Sequence, residues 1–281
     1  MIKENSIRFR ELNRGLSGCG IKLSNSGNLL KESASTFYNK RLENQSNKQK
    51  YFQQFNFENI KIPQVLNTYF ENGLFYIEME YIHAENEINF FNHASPSQIE
   101  NVQNTLCNYL RILSKDSIEY DFTEDINKKL ISLKLNSQYP DIIDSLLNFT
   151  ETKNIIFPKT ICHGDLTMAN MLFQKRKIYF IDFLDSYIDS FLCDIIKLKQ
   201  DLHYLWNLNL YDNNNLRLKI IYKKIWQRIN STYFEYLKTP EVKVLNILNY
   251  LRIEPYVNSK KHTSLLNCIL MKLNDELKCI I

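Results

Sequence analysis

The stretches ICHGDLTMAN (residues 161–170) and YFIDF (residues 179–183) decide how this chain of 281 residues is interpreted. They place two acids and an amide in a fixed order: Asp165, then Asn170 five residues on, then Asp182 twelve residues later. Phosphoryl transfer from a nucleotide needs a group that orients the acceptor hydroxyl, together with hard oxygen ligands for magnesium. The two stretches therefore predict a phosphoryl-transfer site on a loop and the hairpin that follows it.

Each of these residues also has an ordinary structural interpretation. Asp165 alone fits a cap or a turn, Asn170 a loop-capping amide, and Asp182 a turn at the end of a strand. The spacing, with a predicted hairpin of residues 171–173 and 178–181 between the two metal candidates, favours one site over three unrelated turns.

Composition narrows the class of protein. Hydrophobic residues make up 44% of the chain, enough for a sizeable core, and the length suits two lobes. The net charge is only +4 and the basic residues are scattered, which argues against a dedicated nucleic-acid binder.

Targeting signals and cysteine chemistry are not evident in the sequence. The six cysteines lack the CxxC spacing of metal ligands, the first residues contain no apolar signal segment, and no apolar run reaches the roughly 20 residues of a membrane span. We therefore expect a cytoplasmic protein with reduced thiols and without a membrane span.

Periodicity predicts an α+β chain with a small mixed lobe, residues 1–84, and a larger helical lobe, residues 85–281. The predicted elements of the first lobe are a hairpin of strands 19–24 and 28–32, a helix 36–55, and strands 65–69 and 74–81. The predicted helices of the second lobe are 97–115, 121–135, 141–150, 191–206, 214–236, 241–250 and 264–277, with a β-rich insert 158–183 that begins with a strand at 160–162.

Two further residues have a predicted supporting role around the loop. His163 precedes Gly-Asp, and we expect it to be structural, hydrogen-bonded beneath the loop. Asp194, in the first turn of a predicted helix, either complements the helix dipole or accepts hydrogen bonds from the backbone of the loop. We favour the second role for Asp194.

The first lobe contributes candidates for phosphate binding. Lys31 lies in a strand after a turn and precedes both the helix and the motif, an order that suits a phosphate contact. The segment 15–20 holds three of the six glycines of the chain, and we expect it to form the loop over the phosphates.

The motif His-Gly-Asp-x4-Asn, followed by Ile-Asp-Phe and by Asp194, resembles the aminoglycoside phosphotransferase and choline kinase group. These are small-molecule kinases with a bilobal, protein-kinase-like fold. Protein kinases usually carry His-Arg-Asp and Asp-Phe-Gly, whereas here Gly164 precedes Asp165 and Leu184 follows Phe183. Both departures favour the small-molecule branch.

The resemblance implies a role for each matching residue. It implies Asp165 as the catalytic base, supported by His163 and Asp194, with Asn170 and Asp182 as magnesium ligands. It further implies a nucleotide site in which Lys31 contacts the α- and β-phosphates, Glu43 pairs with that lysine, Gly18 and Gly20 cover the phosphates, and the backbone of Glu80, Tyr81 and Ile82 contacts adenine.

The resemblance implies ATP and Mg²⁺ as cofactors and a small-molecule hydroxyl as acceptor: a sugar, an amino sugar or an amino alcohol. Residues 181–190 also resemble kinase-like proteins of bacterial surface-polysaccharide synthesis. Candidates for acceptor contacts are Asp185, Tyr187, Asp189, Asp201 and the turn 252–256.

Two alternatives stay open at this point. A non-catalytic kinase-like scaffold or binding module does not need the complete set of Asp165, Asn170 and Asp182. A protein kinase would transfer phosphate to a protein, and the chain shows no evident Asp-Phe-Gly to Ala-Pro-Glu activation segment. Magnesium-dependent nucleotide binding separates an enzyme from an inert scaffold, and the nature of the acceptor separates the two kinds of kinase.

Overall fold

The computed structural model describes residues 10–12, 18–24, 26–210, 215–257 and 259–279. The chain forms two compact units, of which the first comprises the residues up to Phe90 together with Asn170–Asp185, and the second the remainder. This division differs from the predicted boundary at residue 84, because the hairpin within Asn170–Asp185 belongs to the first unit.

The first unit contains a five-stranded antiparallel sheet in the order β1-β2-β3-β6-β5. Its strands are β1 (Arg10–Leu12), β2 (Gly20–Leu23), β3 (Leu29–Glu32), β5 (Val65–Glu71) and β6 (Leu74–Met79). The predicted hairpin is β2–β3, with Lys31 opposite Ile21 on one side and Ile77 on the other. The predicted strands of this lobe are thus confirmed within two residues.

One helix packs on this sheet. A single 3-10 turn, Thr36–Tyr38, leads into α1 (Asn39–Phe52), where the sequence predicts one helix from 36 to 55. The buried positions of α1 recur at helical spacing: Leu42, Gln45, Ser46, Gln49 and Phe52. Leu42 packs in a core cluster with Phe75, Ile77 and Met79 of β6.

A second sheet explains why the hairpin joins the first unit. It has the order β4-β11-β10-β7, with bounds β4 (Ile60–Lys61), β7 (Glu85–Asn86), β10 (Met171–Gln174) and β11 (Lys177–Phe180). The strand β11 pairs in parallel with β4, and β10 pairs antiparallel with β7. Ladder hydrogen bonds therefore tie the hairpin to residues that precede it by more than 80 positions.

The second unit is mainly helical. Its helices are α3 (Pro96–Lys115), α4 (Thr123–Lys134), α5 (Pro140–Thr152), α6 (Phe191–Leu202), α7 (Trp206–Leu210), α8 (Leu216–Thr232), α9 (Phe234–Leu237), α10 (Pro240–Ile253) and α11 (Lys260–Lys278), while α2 (Glu87–His93) spans the boundary between the units. No helix in the described part of the chain combines the length and the apolar character that a membrane crossing requires.

Three predicted elements of this unit need correction. The helix predicted from residue 121 begins at Thr123, because β8 (Ile118–Asp121) pairs with β9 (Ile156–Lys159). The strand predicted at 160–162 is absent: these residues form a loop, and the Thr160 N–H donates to the Asp189 carbonyl instead of to a strand. The helix predicted over 191–206 ends at Leu202.

Candidate active site

The loop around Asp165 has a backbone that suits its sequence. Gly164 has φ of +86°, a left-handed conformation that glycine adopts without a steric penalty. His163 is fully buried, and its Nδ1 accepts a hydrogen bond from the Asp165 N–H at 3.3 Å. The position of His163 is the structural one expected from the sequence, beneath the loop.

Asp194 fixes the first half of the loop. Its side chain is fully buried on α6 and accepts hydrogen bonds from the N–H groups of His163 at 2.8 Å and Gly164 at 2.9 Å. The Tyr109 hydroxyl donates a third bond at 2.8 Å, and burial together with the charge of Asp194 raises the pKa of Tyr109 well above its ordinary value. Asp194 thus makes the loop contacts that we favoured over a simple interaction with the helix dipole.

Asp201 holds the second half of the loop. It is fully buried on α6, and its Oδ2 accepts from the Met168 N–H and from the Asn207 amide, both at 2.8 Å. Because Asp194 and Asp201 are seven residues apart, they lie on the same face of the helix. Asp201 therefore belongs to the support of the loop, and its burial excludes the acceptor contact that the sequence suggested.

The residue between them on this face is Lys197, which sequence reasoning missed. Its Nζ lies 3.0 Å from Asp165 Oδ1, and the exposed fractions of the two side chains are 11% and 31%. The positions 194, 197 and 201 follow the helical spacing i, i+3, i+7. Three charged residues at this helical spacing were the signal that could have revealed Lys197.

In the first unit, Lys31 meets Asp182 across 151 positions of sequence. The Lys31 Nζ donates to Asp182 Oδ1 at 2.5 Å, and the exposed fractions of the two side chains are 11% and 52%. Burial by itself would lower the pKa of Lys31, but the charge and the hydrogen bond of Asp182 outweigh it and raise the pKa above its ordinary value.

The Lys31–Glu43 pairing implied by the resemblance is not the one present. Lys31 donates to Gln45 Oε1 at 3.4 Å, whereas Glu43 forms an exposed ion pair with Lys40 at 2.9 Å. The physical reason is helical phase: Gln45 lies on the buried face of α1 with Leu42, and Glu43 does not. Periodicity alone could have selected Gln45.

Asp182 sits at a strained point just beyond β11. Its φ of +62° is in the left-handed region, which aspartate tolerates better than most residues. The following residue, Phe183, is buried against Phe52 of α1 with a ring distance of 4.9 Å. This packing holds the unusual backbone in place.

Asn170 lies at the same end of the hairpin as Asp182. The Ile181 N–H donates to the Asn170 carbonyl at 3.0 Å, so the two predicted metal ligands flank one backbone hydrogen bond. The second carboxylate oxygen of Asp182 has no hydrogen bond to any residue that the structure describes. A half-exposed carboxylate with an oxygen of this kind is a ligand type that Mg²⁺ prefers.

The strand end near Glu80 has the polarity that an adenine ring requires. Glu80 N–H donates to the Gln64 carbonyl at 2.8 Å, and the Glu80 carboxylate accepts from the Gln64 N–H at 3.2 Å. Within the described ranges, the Glu80 carbonyl and the N–H groups of Tyr81 and Ile82 make no backbone hydrogen bond. One acceptor and two donors are thus available at the position predicted for adenine.

The predicted phosphate loop falls partly outside the described residues, since 15–17 are among those not described. Gly18 has φ of +75°, and Gly20 is the first residue of β2, opposite Glu32. A side chain at position 20 would contact the Glu32 carboxylate at 3.4 Å. Both glycines therefore lie in close-packed or left-handed backbone next to β3.

The other acceptor candidates have diverse surroundings. Asp185 accepts a hydrogen bond from Asn44 at 2.9 Å in the first unit. In the second unit, Asp189 lies 3.4 Å from the Cys162 thiol, and the Arg252 guanidinium lies 4.5 Å from the ring centre of Tyr187. Burial raises the pKa of Tyr187, so this hydroxyl stays protonated at neutral pH.

Comparison with solved structures shows the fold. The chain is similar to a GDP and kanamycin complex of APH(2")-IIia, with 12% identity, a TM-score of 0.60 and coverage of 99% of this chain and 95% of the other. A GDP complex of wild-type aminoglycoside 2'-phosphotransferase-IIIa gives 13% identity, a TM-score of 0.61, and coverage of 98% and 95%. The predicted α+β, kinase-like fold class is therefore confirmed.

A third solved structure supports the same fold. Aminoglycoside phosphotransferase APH(3'')-Id from Streptomyces rimosus ATCC10970 gives 11% identity, a TM-score of 0.53, and coverage of 86% of this chain and 94% of the other. No curated protein matched the sequence significantly.

The sequence itself decides the family. Residues 39–214, more than half of the chain, match the family described as the phosphotransferase enzyme family. The matched range contains Asp165, Asn170, Asp182 and Asp194, the four acids and amides of the predicted site. This chain therefore belongs to the phosphotransferase enzyme family.

Proposed function

We propose that the protein transfers the γ-phosphate of ATP to a hydroxyl of a small molecule, a sugar, an amino sugar or an amino alcohol. The observation that supports this most strongly is the Lys31–Asp182 pair, a largely buried ammonium beside a half-exposed carboxylate. Family membership supports phosphoryl transfer in general. The relatives of known structure were solved with GDP and kanamycin or with ADP and streptomycin, which is consistent with a nucleotide and a polyhydroxylated acceptor.

In this proposal the groups that bind the nucleotide belong to the first unit. Lys31 neutralises phosphate charge, and the backbone groups of Glu80 and Ile82 receive the adenine edge. Asn170 and Asp182 would hold Mg²⁺, which when bound neutralises charge on the phosphates. Gly18 and Gly20 leave room for backbone close to the phosphates.

Asp165 acts on the acceptor. The acceptor oxygen forms a bond to the γ-phosphorus, the bond from that phosphorus to the leaving oxygen of ADP breaks, and the hydroxyl proton passes to the Asp165 carboxylate late in the transfer. His163 and Asp194 do not touch the reacting atoms in this scheme. They fix the loop so that Asp165 is already oriented when the acceptor binds.

One observation favours a second candidate, a kinase-like binding protein without turnover. The helix partner of Lys31 is the neutral Gln45 and not an acid, so among the described residues Asp182 alone forms an ion pair with this lysine. A magnesium ion on Asp182 would compete with Lys31 for the same carboxylate. This candidate predicts binding of magnesium-ATP with no transfer to any acceptor.

The test is release of ADP from ATP and Mg²⁺ across a panel of sugars, amino sugars, amino alcohols and aminoglycosides. We expect stimulation by one class, and a loss of about 10²- to 10⁴-fold in kcat in Asp165→Asn, because the variant cannot accept the proton. Binding of magnesium-ATP, measured by calorimetry, is expected to stay close to that of the wild type.

A matched control is Asp116→Asn, an exposed acid of the same unit at the end of α3 that has no assigned role in the site. Near-normal turnover in Asp165→Asn would remove Asp165 from the role of base. Tight nucleotide binding without stimulation by any member of the panel would favour the non-catalytic candidate, and loss of nucleotide binding in the wild type would contradict both.

A further inference from the structure

The ammonium of Lys197 is held from two sides. On one side it lies 3.0 Å from Asp165 Oδ1, and on the other it donates to Gln200 Oε1 at 3.4 Å. Gln200 is buried and accepts a hydrogen bond from the buried Asn249 amide of α10 at 3.1 Å. A chain of contacts therefore runs from the helical core through Gln200 and Lys197 to Asp165.

The surroundings of this ion pair distinguish it from a surface salt bridge. Exposed pairs contribute little, because solvent screens them and two long side chains lose freedom. The Lys197 side chain retains only 11% of its exposure, so much of its freedom is already lost to packing on α6. A lysine fixed in this way can hold a carboxylate in one orientation.

The same helix face fixes the loop at its other points. Asp194 binds the backbone before Asp165, and Asp201 binds the backbone after it. Neither contact reaches the Asp165 side chain. Lys197 of the same helix contacts the carboxylate itself.

We propose that Lys197 is the positioning residue of Asp165, fixing the carboxylate in the orientation in which it receives the proton of the acceptor hydroxyl. The inference rests on the proposed role of Asp165 as base. Lys197 forms no bond to the reacting atoms, so its loss should affect the rate of transfer more than the binding of ATP. Misplacement of a catalytic group by about 1 Å can cost about 10²-fold in rate.

The test compares Lys197→Met, Lys197→Arg and the control Lys199→Met, a lysine two positions along the same helix whose ammonium lies over the ring of Tyr204. We expect kcat to fall about tenfold to hundredfold in Lys197→Met, with KM for ATP changed less than about threefold. Lys197→Arg keeps the charge and should recover part of kcat. The Lys199→Met variant should keep the kcat of the wild type.

Chemical rescue adds a measurement that a purely structural role would not affect. Propylamine added to Lys197→Ala should restore part of kcat, because the free ammonium can bind beside Asp165. Normal kcat in Lys197→Met would overturn the proposal. So would an equal loss in Lys197→Met and Lys199→Met without rescue by arginine or by propylamine.

A double-mutant cycle keeps this test separate from the proposed function. Asp165→Asn, Lys197→Met and the double variant are unfolded in urea, and their unfolding free energies are compared. Coupling between the two residues supports the positioning contact even if no acceptor is found, in which case the proposed function fails alone. Additive effects of the two substitutions would overturn the inference whether or not the wild type transfers phosphate.

Discussion

Each unit of the molecule pairs one acid of the motif with a lysine, and the two pairs differ in how exposed the acid is. Lys31 and Lys197 each retain 11% of their side-chain exposure, but Asp182 retains 52% and Asp165 only 31%. Asp182 stands on left-handed backbone and presents a second oxygen without a protein hydrogen bond in the described chain. Asp165 stands on a loop that α6 fixes on both sides. The difference suits a metal ligand in the first unit and a proton acceptor in the second.

The largest effect should come from removing the support of the Asp165 loop. Asp194→Ala removes the acceptor of three buried hydrogen bonds, and we expect the unfolding free energy to fall by about 3 kcal/mol or more. Urea unfolding followed by circular dichroism measures this loss. The control Tyr109→Phe removes one donor and should cost about 1 kcal/mol.

Equal stability of Asp194→Ala and Tyr109→Phe would mean that the loop does not depend on the bonds to His163 and Gly164. In the first unit, the Lys31–Asp182 pair has no comparable set of buried donors, so no substitution there should destabilise the protein as much.

The second largest effect should be on the affinity for the nucleotide. Lys31→Met removes the cationic contact, and we expect the affinity for magnesium-ATP to fall about tenfold to hundredfold, the value of a charge-assisted hydrogen bond. Calorimetric titration measures the affinity. Lys22→Met, which removes an ion pair with Glu32 in the neighbouring strand, is the matched control.

An unchanged affinity for magnesium-ATP in Lys31→Met would mean that the phosphates bind away from β3. The Lys31–Asp182 pair would then have no role in nucleotide binding, and the contrast with the Lys197–Asp165 pair would fail. A loss in Lys22→Met as large as that in Lys31→Met would assign the effect to the sheet as a whole.

A third lysine, Lys199, extends the comparison because no acid among the described residues forms an ion pair with it. Burial and the charges of Lys272 and Lys243 lower the pKa of Lys199 to about 8, and the charge of Glu276 only partly opposes this. The folded protein releases this proton near pH 8, whereas the unfolded chain keeps it up to its ordinary value of 10.5. The unfolded chain therefore binds more protons between these values, and stability rises with pH in that window.

Lys199→Met should remove this rise and stabilise the protein at pH 7 by on the order of 1 kcal/mol. Urea unfolding at pH 7 and pH 9.5 measures both effects, with the exposed Lys278→Met as control. If the difference between the two pH values persists in Lys199→Met, another group is responsible for it.

The smallest effect distinguishes the two candidate partners of Lys31 on α1. Glu43→Ala should leave the affinity for magnesium-ATP within about twofold, because its carboxylate pairs with the exposed Lys40. Gln45→Ala removes a buried hydrogen bond to Lys31 and should weaken the affinity about threefold. A larger loss of affinity in Glu43→Ala than in Gln45→Ala would support the pairing of Glu43 with Lys31 that the resemblance implies.

Short-range signals explain what the sequence predicted well. The hairpins, the helices and the contact of Asp194 with the loop follow from periodicity and from spacings of a few tens of residues. The pairing of β11 with β4 and the contact of Lys31 with Asp182 join positions more than a hundred residues apart. Periodicity contains no information on such distances, so the sequence does not predict that Asn170–Asp185 joins the first unit.

The misses at the site have specific causes. Glu43 was chosen by residue type, although the phase of α1 favours Gln45. Lys197 was overlooked because lysine on a helix is usually solvent-exposed, and its burial becomes visible only once α6 is packed. The strand expected at 160–162 contains apolar residues that are buried in a loop instead of a sheet.

The spacing of the three contacts on α6 limits how the length of this helix can change. A single residue inserted or deleted between Asp194 and Lys197 rotates every later side chain by about 100° around the helix axis. Lys197 and Asp201 would then leave the loop together, although every residue type was retained. Length changes after Leu202 preserve this register. Related sequences aligned to this chain should therefore be free of gaps from 194 to 201, even where the residues themselves differ.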